Sequence, residues 1–292
     1  MMGAAVMAQA VFKAGKGNGE RGDRLRQLFE RASDLHLLHE GYAGATEGVG
    51  GTIVVCGPAG MGKTSLVQQF LTSLDDATVF VGGCDDLIAP RSFGPFRDMA
   101  RTSGLLSDEL IRNPNREDLL DGLMDVLDRP TRPAVIVVED AHWADDASID
   151  VLRYLTRRIV SMHALLIVTL RDREVDRSHP VRNLLSGPTS TAPVRVDLRP
   201  LSLDAVAEMV DHVRAEGREP GLEPRALHEV SGGNPFLVVQ LLAGEAGDAA
   251  RSARETLVAR AERLSPAGRE VLQVLSVLPE GADPTVARML FG

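Results

Sequence analysis

The chain has 292 residues, 44% of them hydrophobic and 25% charged, with a formal net charge of −9, the composition of a globular protein with a sizeable core. The acidity excludes a strong non-specific nucleic-acid binder, because too little positive charge is left over to neutralise a phosphate backbone. The two cysteines, Cys56 and Cys84, lie far apart; they exclude a disulfide framework and fit a reducing cytoplasm, and no apolar run is long enough to span a membrane.

Met1 to Phe12 is mildly apolar, but Lys13 and Lys16 follow the apolar part instead of preceding it. Residues 1–18 therefore read as a flexible tail, not a signal peptide. Leu25, Leu28, Leu35, Leu37 and Leu38 predict an amphipathic helix from Arg24 to Leu38. The glycine-rich stretch Gly41 to Gly51 is expected to be a loop. Thr52-Ile53-Val54-Val55-Cys56 is a short apolar, β-branched run, as a buried parallel strand should be, with Cys56 in the core.

Next comes Gly57-Pro58-Ala59-Gly60-Met61-Gly62-Lys63-Thr64, and then Ser65 to Leu71 with helical apolar spacing. The pattern G-x-x-x-x-G-K-T between a strand and a helix is that of a phosphate-binding loop. Gly57, Gly60 and Gly62 let the backbone turn its N–H groups inward as an anion nest. The positive end of the helix, beginning at Lys63, Thr64 and Ser65, faces the same point. Lys63 brings a charge to the β and γ phosphates, and the Thr64 hydroxyl is suited to ligating Mg²⁺.

Thr78-Val79-Phe80-Val81 is a second strand, ended by Gly82-Gly83, and Asp85 to Pro95 is a polar connection. Helical pattern resumes at Phe96-Arg97-Asp98-Met99 and again over Arg116 to Leu127. Ala134-Val135-Ile136-Val137-Val138 is a third strand, and Glu139-Asp140 stands at its tip. An acid there, downstream of a phosphate loop, is a Walker B arrangement. Glu139 is placed to hold Mg²⁺ through its water shell, and Asp140 to orient and polarise an attacking water. The alternative is that the acids only open a loop; capping of the helix from Ala147 to Val160 falls better to Asp145 or Asp146.

Ala164 to Leu170 is a fourth strand and Val194 to Leu198 a fifth. If the fourth lies between the loop strand and the acid strand, Arg171 or Thr169 at its tip can sense a γ-phosphate; equally, Arg171 can sit in a surface loop paired with Asp172 or Glu174. His142, His163, His179 and His228 show no metal spacing and are expected on loops or the surface, with Trp143 a packing residue. Arg157 and Arg158 read as a solvated helix face or as a finger toward a neighbouring subunit's nucleotide. After Pro200 the pattern is helical, with Ser231-Gly232-Gly233-Asn234-Pro235-Phe236-Leu237 as a turn between helices. No Asn-Lys-x-Asp guanine-reading motif occurs, which favours ATP over GTP. Strands alternating with helices imply an α/β parallel sheet.

These segments together resemble the ATPase module of large ATP-binding LuxR-type transcription regulators, of the STAND branch of AAA-like P-loop ATPases. The similarity runs through Glu20-Arg21 with Leu25 and Leu28, Gly57 to Thr64, Gly83-Cys84-Asp85 and Phe93-Gly94-Pro95-Phe96-Arg97. It continues through Val137 to Asp145, Thr169 to Arg171, His179-Pro180, Leu198 to Ser202 and Gly233 to Leu237, in family order over nearly the whole chain. Glu20-Arg21-Gly22-Asp23 stands where the family has Gly-Arg-Glu.

The resemblance implies a P-loop NTPase core over residues 19–200, built on a five-stranded parallel sheet flanked by helices. A helical lid over 201–250 and the start of a winged-helix domain over 251–292 follow; Leu264 to Leu272 is read as that onset. It implies ATP/ADP and Mg²⁺ as ligands, catalytic roles for Lys63, Glu139 and Asp140, Arg171 as the phosphate sensor and Pro235 against the adenine side. The activity implied is slow ATP hydrolysis driving a switch between a closed ADP form and a self-associating ATP form, a nucleotide-dependent homo-oligomer. Sensor repeats and a DNA-binding domain follow Gly292 in such regulators, so a truncated or natural short form is expected here, with DNA reached only through a domain absent from this chain. An AAA-type remodelling or DNA-loading ATPase is the alternative, although no aromatic pore loop is evident; a small-molecule kinase fits less well, lacking an acceptor site.

Overall fold

The structure, a computed structural model, describes residues 28–87, 91–103, 116–127, 132–171, 175, 179–184, 192–243 and 268–269. Five runs rich in apolar residues form one parallel sheet: β1 (Gly51–Cys56), β2 (Thr78–Gly83), β3 (Ala134–Glu139), β4 (Ala164–Leu170) and β5 (Val194–Asp197), in the order β2-β3-β4-β1-β5. β4 is buried along its whole length and β3 up to its last residue. A strand covered on both faces has no need of polar alternation, which is why these two read as continuous apolar runs.

Helices α1 (Ala32–Thr46) and α2 (Lys63–Thr72) cover one face, burying Leu38, Ala45, Leu66 and Phe70 against Ile53, Val55, Val135 and Ile167. Helices α3 (Gly94–Ser103), α4 (Arg116–Leu127) and α5 (Asp146–Arg158) cover the other, where Phe96, Met99, Leu123 and Leu152 meet Val54, Ile136, Val138 and Leu166. Because β4 pairs with both β1 and β3, the tips of β1 and β3 stand on either side of the β4 tip. Ligands of open α/β sheets bind at this carboxyl edge.

Several element bounds differ from those expected from the sequence. The first helix does not end at Leu38, and residues 41–46 are not loop: α1 runs to Thr46. Gly41 is there for close approach, since a Cβ on it would lie 2.7 Å from Ile53 Cδ1 and 3.1 Å from Leu165 Cδ1. Nor do Gly82-Gly83 lie beyond β2; they are its last two residues and pair with Val138 and Glu139. A Cβ on Gly82 would lie 2.1 Å from the Pro95 carbonyl oxygen, so glycine admits the α3 backbone against the strand. At the far end of the sheet β5 stops one residue before Leu198, and α5 gives way at Ile159 to a 3₁₀ turn.

The chain divides into two compact units, Met1–Ala205 and Val206–Gly292. After β5 the described residues form α6 (Leu203–Ala215), α7 (Pro224–Ser231) and α8 (Pro235–Ala243). Gly232 and Gly233 take left-handed φ of 58° and 68°, which ends α7 and turns the chain. Asn234 Oδ1 accepts from the N–H groups of Phe236 (3.1 Å) and Leu237 (3.3 Å), so it caps α8, with Pro235 as the first helical residue. No helix among the described residues is long and apolar enough to cross a membrane. The expected tail, the Glu20-Arg21 pair and, apart from 268–269, the winged-helix onset lie outside the described residues.

Candidate nucleotide site

The loop after β1 turns on two glycines, Gly60 (φ 80°) and Gly62 (φ 88°). Gly57 differs from what its place in the motif predicts. It needs no left-handed backbone; a Cβ there would lie 3.3 Å from Leu198 Cβ, so packing alone calls for glycine. Met61, 6% exposed, pins the loop into the core. Gly62 is the N-cap of α2, so the positive end of that helix opens at the loop. The Lys63 side chain is 7% exposed, and its Nζ donates to the carbonyls of Gly57 (2.8 Å) and Pro58 (3.2 Å). The ammonium therefore lies within the loop, where an entering phosphate can replace those carbonyl contacts with stronger charge-assisted ones.

The acid tip meets this loop. The Thr64 hydroxyl comes close enough to the Glu139 carboxylate to favour its ionised form, although the two residues belong to elements separated by β4. Burial raises the Glu139 pKa above its ordinary value; the Thr64 hydroxyl opposes the shift and the nearby Asp140 charge adds to it. A buried carboxylate kept protonation-prone in this way gains from a cation. The hard oxygens of Glu139 and Thr64 would suit Mg²⁺, which would supply charge neutralisation there. Among the described residues no group of three or more His, Cys, Asp or Glu forms a denser metal cage.

Asp140 has left-handed backbone (φ 52°, ψ 45°), a conformation that aspartate tolerates better than most non-glycine residues. Its N–H donates to the Thr169 hydroxyl at 2.9 Å and its carbonyl accepts from Trp143 N–H at 2.9 Å. Thr169, 1% exposed, is thereby occupied in holding the acid turn. Asp140 Oδ1 lies 3.8 Å from Arg171 Nε and 3.9 Å from His142 Nδ1, and the Arg171 guanidinium carbon lies 4.6 Å from the centre of the Trp143 ring. Arg171, at the β4 tip, thus faces the acid turn. His142 lies in the turn after β3, within the expected loop, and is 6% exposed; its carbonyl accepts from His179 Nε2 at 3.1 Å.

Asp145, one of the two caps expected from sequence, caps α5 at Ser148 N–H (3.0 Å), and it also accepts from the N–H of Phe93 (3.3 Å), a residue with φ of 58°. Other supporting residues were not anticipated from sequence. Glu30 and Arg31, at the start of α1, clamp the chain beyond β5: Arg31 Nη2 donates to Arg199 O at 2.6 Å, and Glu30 accepts from Ser202 N–H at 2.8 Å. Acid-plus-base beside a buried phenylalanine, Phe29, was the available signal. Arg157 and Arg158 are exposed on the last turn of α5, Arg158 5.1 Å from the Tyr154 ring. Pro235 stands in the second unit, at the start of α8.

Parallel sheet order, phosphate loop and acid tip define a P-loop NTPase fold. Within it, residues 27–168 match the family described as AAA ATPase domain. That match starts at residue 27, so Glu20-Arg21 lies outside it, and it ends three residues short of Arg171. Among solved structures, the chain is similar to the Walker-type ATPase PABY2304 of Pyrococcus abyssi, with 15% identity over 85% of this chain and 79% of that one and a TM-score of 0.57. It is likewise similar to the ORC2 protein of Aeropyrum pernix (16% identity, 91% and 80% covered, TM-score 0.56). A third, Cdc6p from Pyrobaculum aerophilum, has 17% identity over 77% of this chain and 63% of that one, with a TM-score of 0.54. No curated protein sequence matches the chain.

Proposed function

We propose that the chain is an ATP-binding switch: it binds ATP and ADP with Mg²⁺, hydrolyses ATP slowly, and changes conformation and self-association with the nucleotide. The observation that supports this best is the buried Lys63 ammonium held inside the loop after β1, at the same sheet edge as the acid tip of β3. In this reading the N–H groups of Gly60, Met61, Gly62, Lys63, Thr64 and Ser65 grip the phosphates, while Pro58 and Ala59 shape the loop. Lys63 neutralises the β and γ phosphates. Glu139 and Thr64 hold Mg²⁺, which supplies charge neutralisation at the phosphates when bound. Asp140 orients a water for in-line attack and takes up its proton, and Arg171 senses the γ-phosphate. Pro235 contacts the adenine side.

The family of switch is that of LuxR-type transcription regulators, supported by the order of motifs from the phosphate loop through Val137 to Asp145 to Gly233-Asn234-Pro235-Phe236-Leu237. The test is calorimetric titration of the full chain with ADP and with a non-hydrolysable ATP analogue, with and without Mg²⁺, beside steady-state turnover and sizing in each nucleotide. Tight binding, turnover well below one per second and an association state that depends on the γ-phosphate are expected. Fast turnover by a monomer refutes the switch. A DNA-loading ATPase is the second reading, favoured by the fold likeness to ORC2 and Cdc6p; stable ATP-dependent rings that bind duplex DNA would select it, against the net charge of −9.

A further inference from the structure

Trp143 touches three things at once. The Arg171 guanidinium carbon lies 4.6 Å from its ring centre, the buried His142 ring lies 4.5 Å away on a tilted plane, and a cavity of about 290 Å³ opens beside it, lined also by Gly83, Cys84, Pro95, Arg97 and Asp145. Arg171 leaves the tip of β4, which has β3 on one side and β1 on the other. Its side chain leans to the β3 side, onto Trp143 and to 3.8 Å from Asp140, whereas the phosphate loop follows β1. Arg171 is thereby placed against the very carboxylate assigned to water activation. Because the cavity borders the ring, Trp143 has room to shift when its cationic partner moves.

We propose that Trp143 is the resting seat of Arg171: its ring holds the guanidinium beside Asp140 while no γ-phosphate is bound, and ATP, but not ADP, draws Arg171 off. Trp143 is then a positioning residue that acts through Arg171. An aromatic face binds a guanidinium weakly through its quadrupole, and one partly exposed carboxylate adds little. A γ-phosphate offers more negative charge and several acceptor oxygens that match the guanidinium fork, so it wins the exchange. Asp140 loses its cationic neighbour only in the ATP state, and ADP leaves the pair closed. The proposal rests on the nucleotide reading above and adds to it the residue by which the two nucleotides are told apart.

Trp143 is the only tryptophan of the chain, so intrinsic emission reports on this ring alone. The full chain is titrated with Mg²⁺–ADP and with the Mg²⁺ complex of a non-hydrolysable ATP analogue, while displacement of a fluorescent nucleotide measures binding of each independently. Both nucleotides are expected to bind, and only the ATP analogue to change the emission; in Arg171→Gln the analogue still binds but the two emission spectra become alike. Trp143→Ala is expected to shift the ratio of analogue to ADP affinity toward the analogue by about 2- to 30-fold, the range of a cation–π contact, and Trp143→Phe to restore most of the difference. The emission measurement needs no variant and stands if Trp143→Ala fails to fold. Equal emission with both nucleotides bound overturns the proposal and leaves nucleotide binding intact. Absence of binding overturns both.

Discussion

Replacing Lys63 with methionine separates charge from packing at the phosphate loop. The aliphatic stem, part of a side chain only 7% exposed, stays buried, and the ammonium goes. In the free chain two effects oppose each other. The hydrogen bonds to Gly57 O (2.8 Å) and Pro58 O (3.2 Å) are lost, each worth about 1.5–3 kcal/mol for a charged donor. The desolvation of a buried charge, several kcal/mol, is relieved at the same time. The unfolding free energy is therefore expected to move by less than about 2 kcal/mol, since the two nearly cancel. With nucleotide nothing offsets the loss. A phosphate charge about 4 Å from the ammonium at an effective dielectric of 20 contributes about 4 kcal/mol, or roughly a thousandfold in Kd. Calorimetric titration with ADP and urea unfolding followed by circular dichroism measure the two quantities. A loss of affinity under tenfold refutes the role given to Lys63, and a collapse of stability refutes the cancellation.

Asp140→Asn is expected to keep nucleotide affinity within about threefold and to lower turnover by about 10²- to 10⁴-fold, the range of general acid–base catalysis, in a coupled phosphate-release assay. Thr169→Val leaves the Asp140 N–H, now bonded at 2.9 Å, without its acceptor; a loss of about 1–3 kcal/mol in urea unfolding and a fall in turnover are expected together. Gly82→Ala places a methyl group 2.1 Å from a backbone oxygen, and a loss of about 3 kcal/mol or more, read as a lowered Tm, is expected from overpacking. The raised Glu139 pKa has a pH signature. Its contribution to stability is fully present below the ordinary value of 4.5 and is lost as pH rises through the raised folded value, because the buried ionised form disfavours folding. Glu139→Gln is thus expected to raise the Tm of the nucleotide-free chain at pH 7.5 relative to the wild type, to leave it unchanged near pH 4, and to remove the Mg²⁺ dependence of nucleotide affinity.

The strands of the sheet were legible because a doubly covered parallel strand writes itself as an apolar run; Ala164 to Leu170 was bounded correctly from hydropathy alone. The same holds for Arg116 to Leu127, where charge and apolar spacing agree. Glycine misled at Gly41 and Gly82. Read as punctuation, each marks a place where two backbones or a helix and a side chain approach too closely for a Cβ, and that reason exists only in three dimensions. The phosphate loop was legible because its chemistry is local. Thr169 was not, since its partner Asp140 is 29 positions away and only β3–β4 pairing joins them. Arg31 was missed for a related reason: its acceptor, the Arg199 carbonyl, is 168 positions away.

Cys56 and Cys84 give the site two native reporters. Cys56 is wholly buried at the end of β1, at the foot of the phosphate loop, and Cys84 is 8% exposed just past β2, its N–H bonded to Glu139 O at 2.9 Å. Burial, with neighbouring carboxylates, pushes the Cys84 thiol up to about 12, so at pH 8 about one molecule in ten thousand carries the reactive thiolate. Attack by a thiol reagent on the folded chain must then await local opening of the strand end that carries the sulfur. Labelling rates at the two sulfurs become clocks for the fraying of the two sides of the cleft, readable nucleotide by nucleotide without placing any foreign group in the protein.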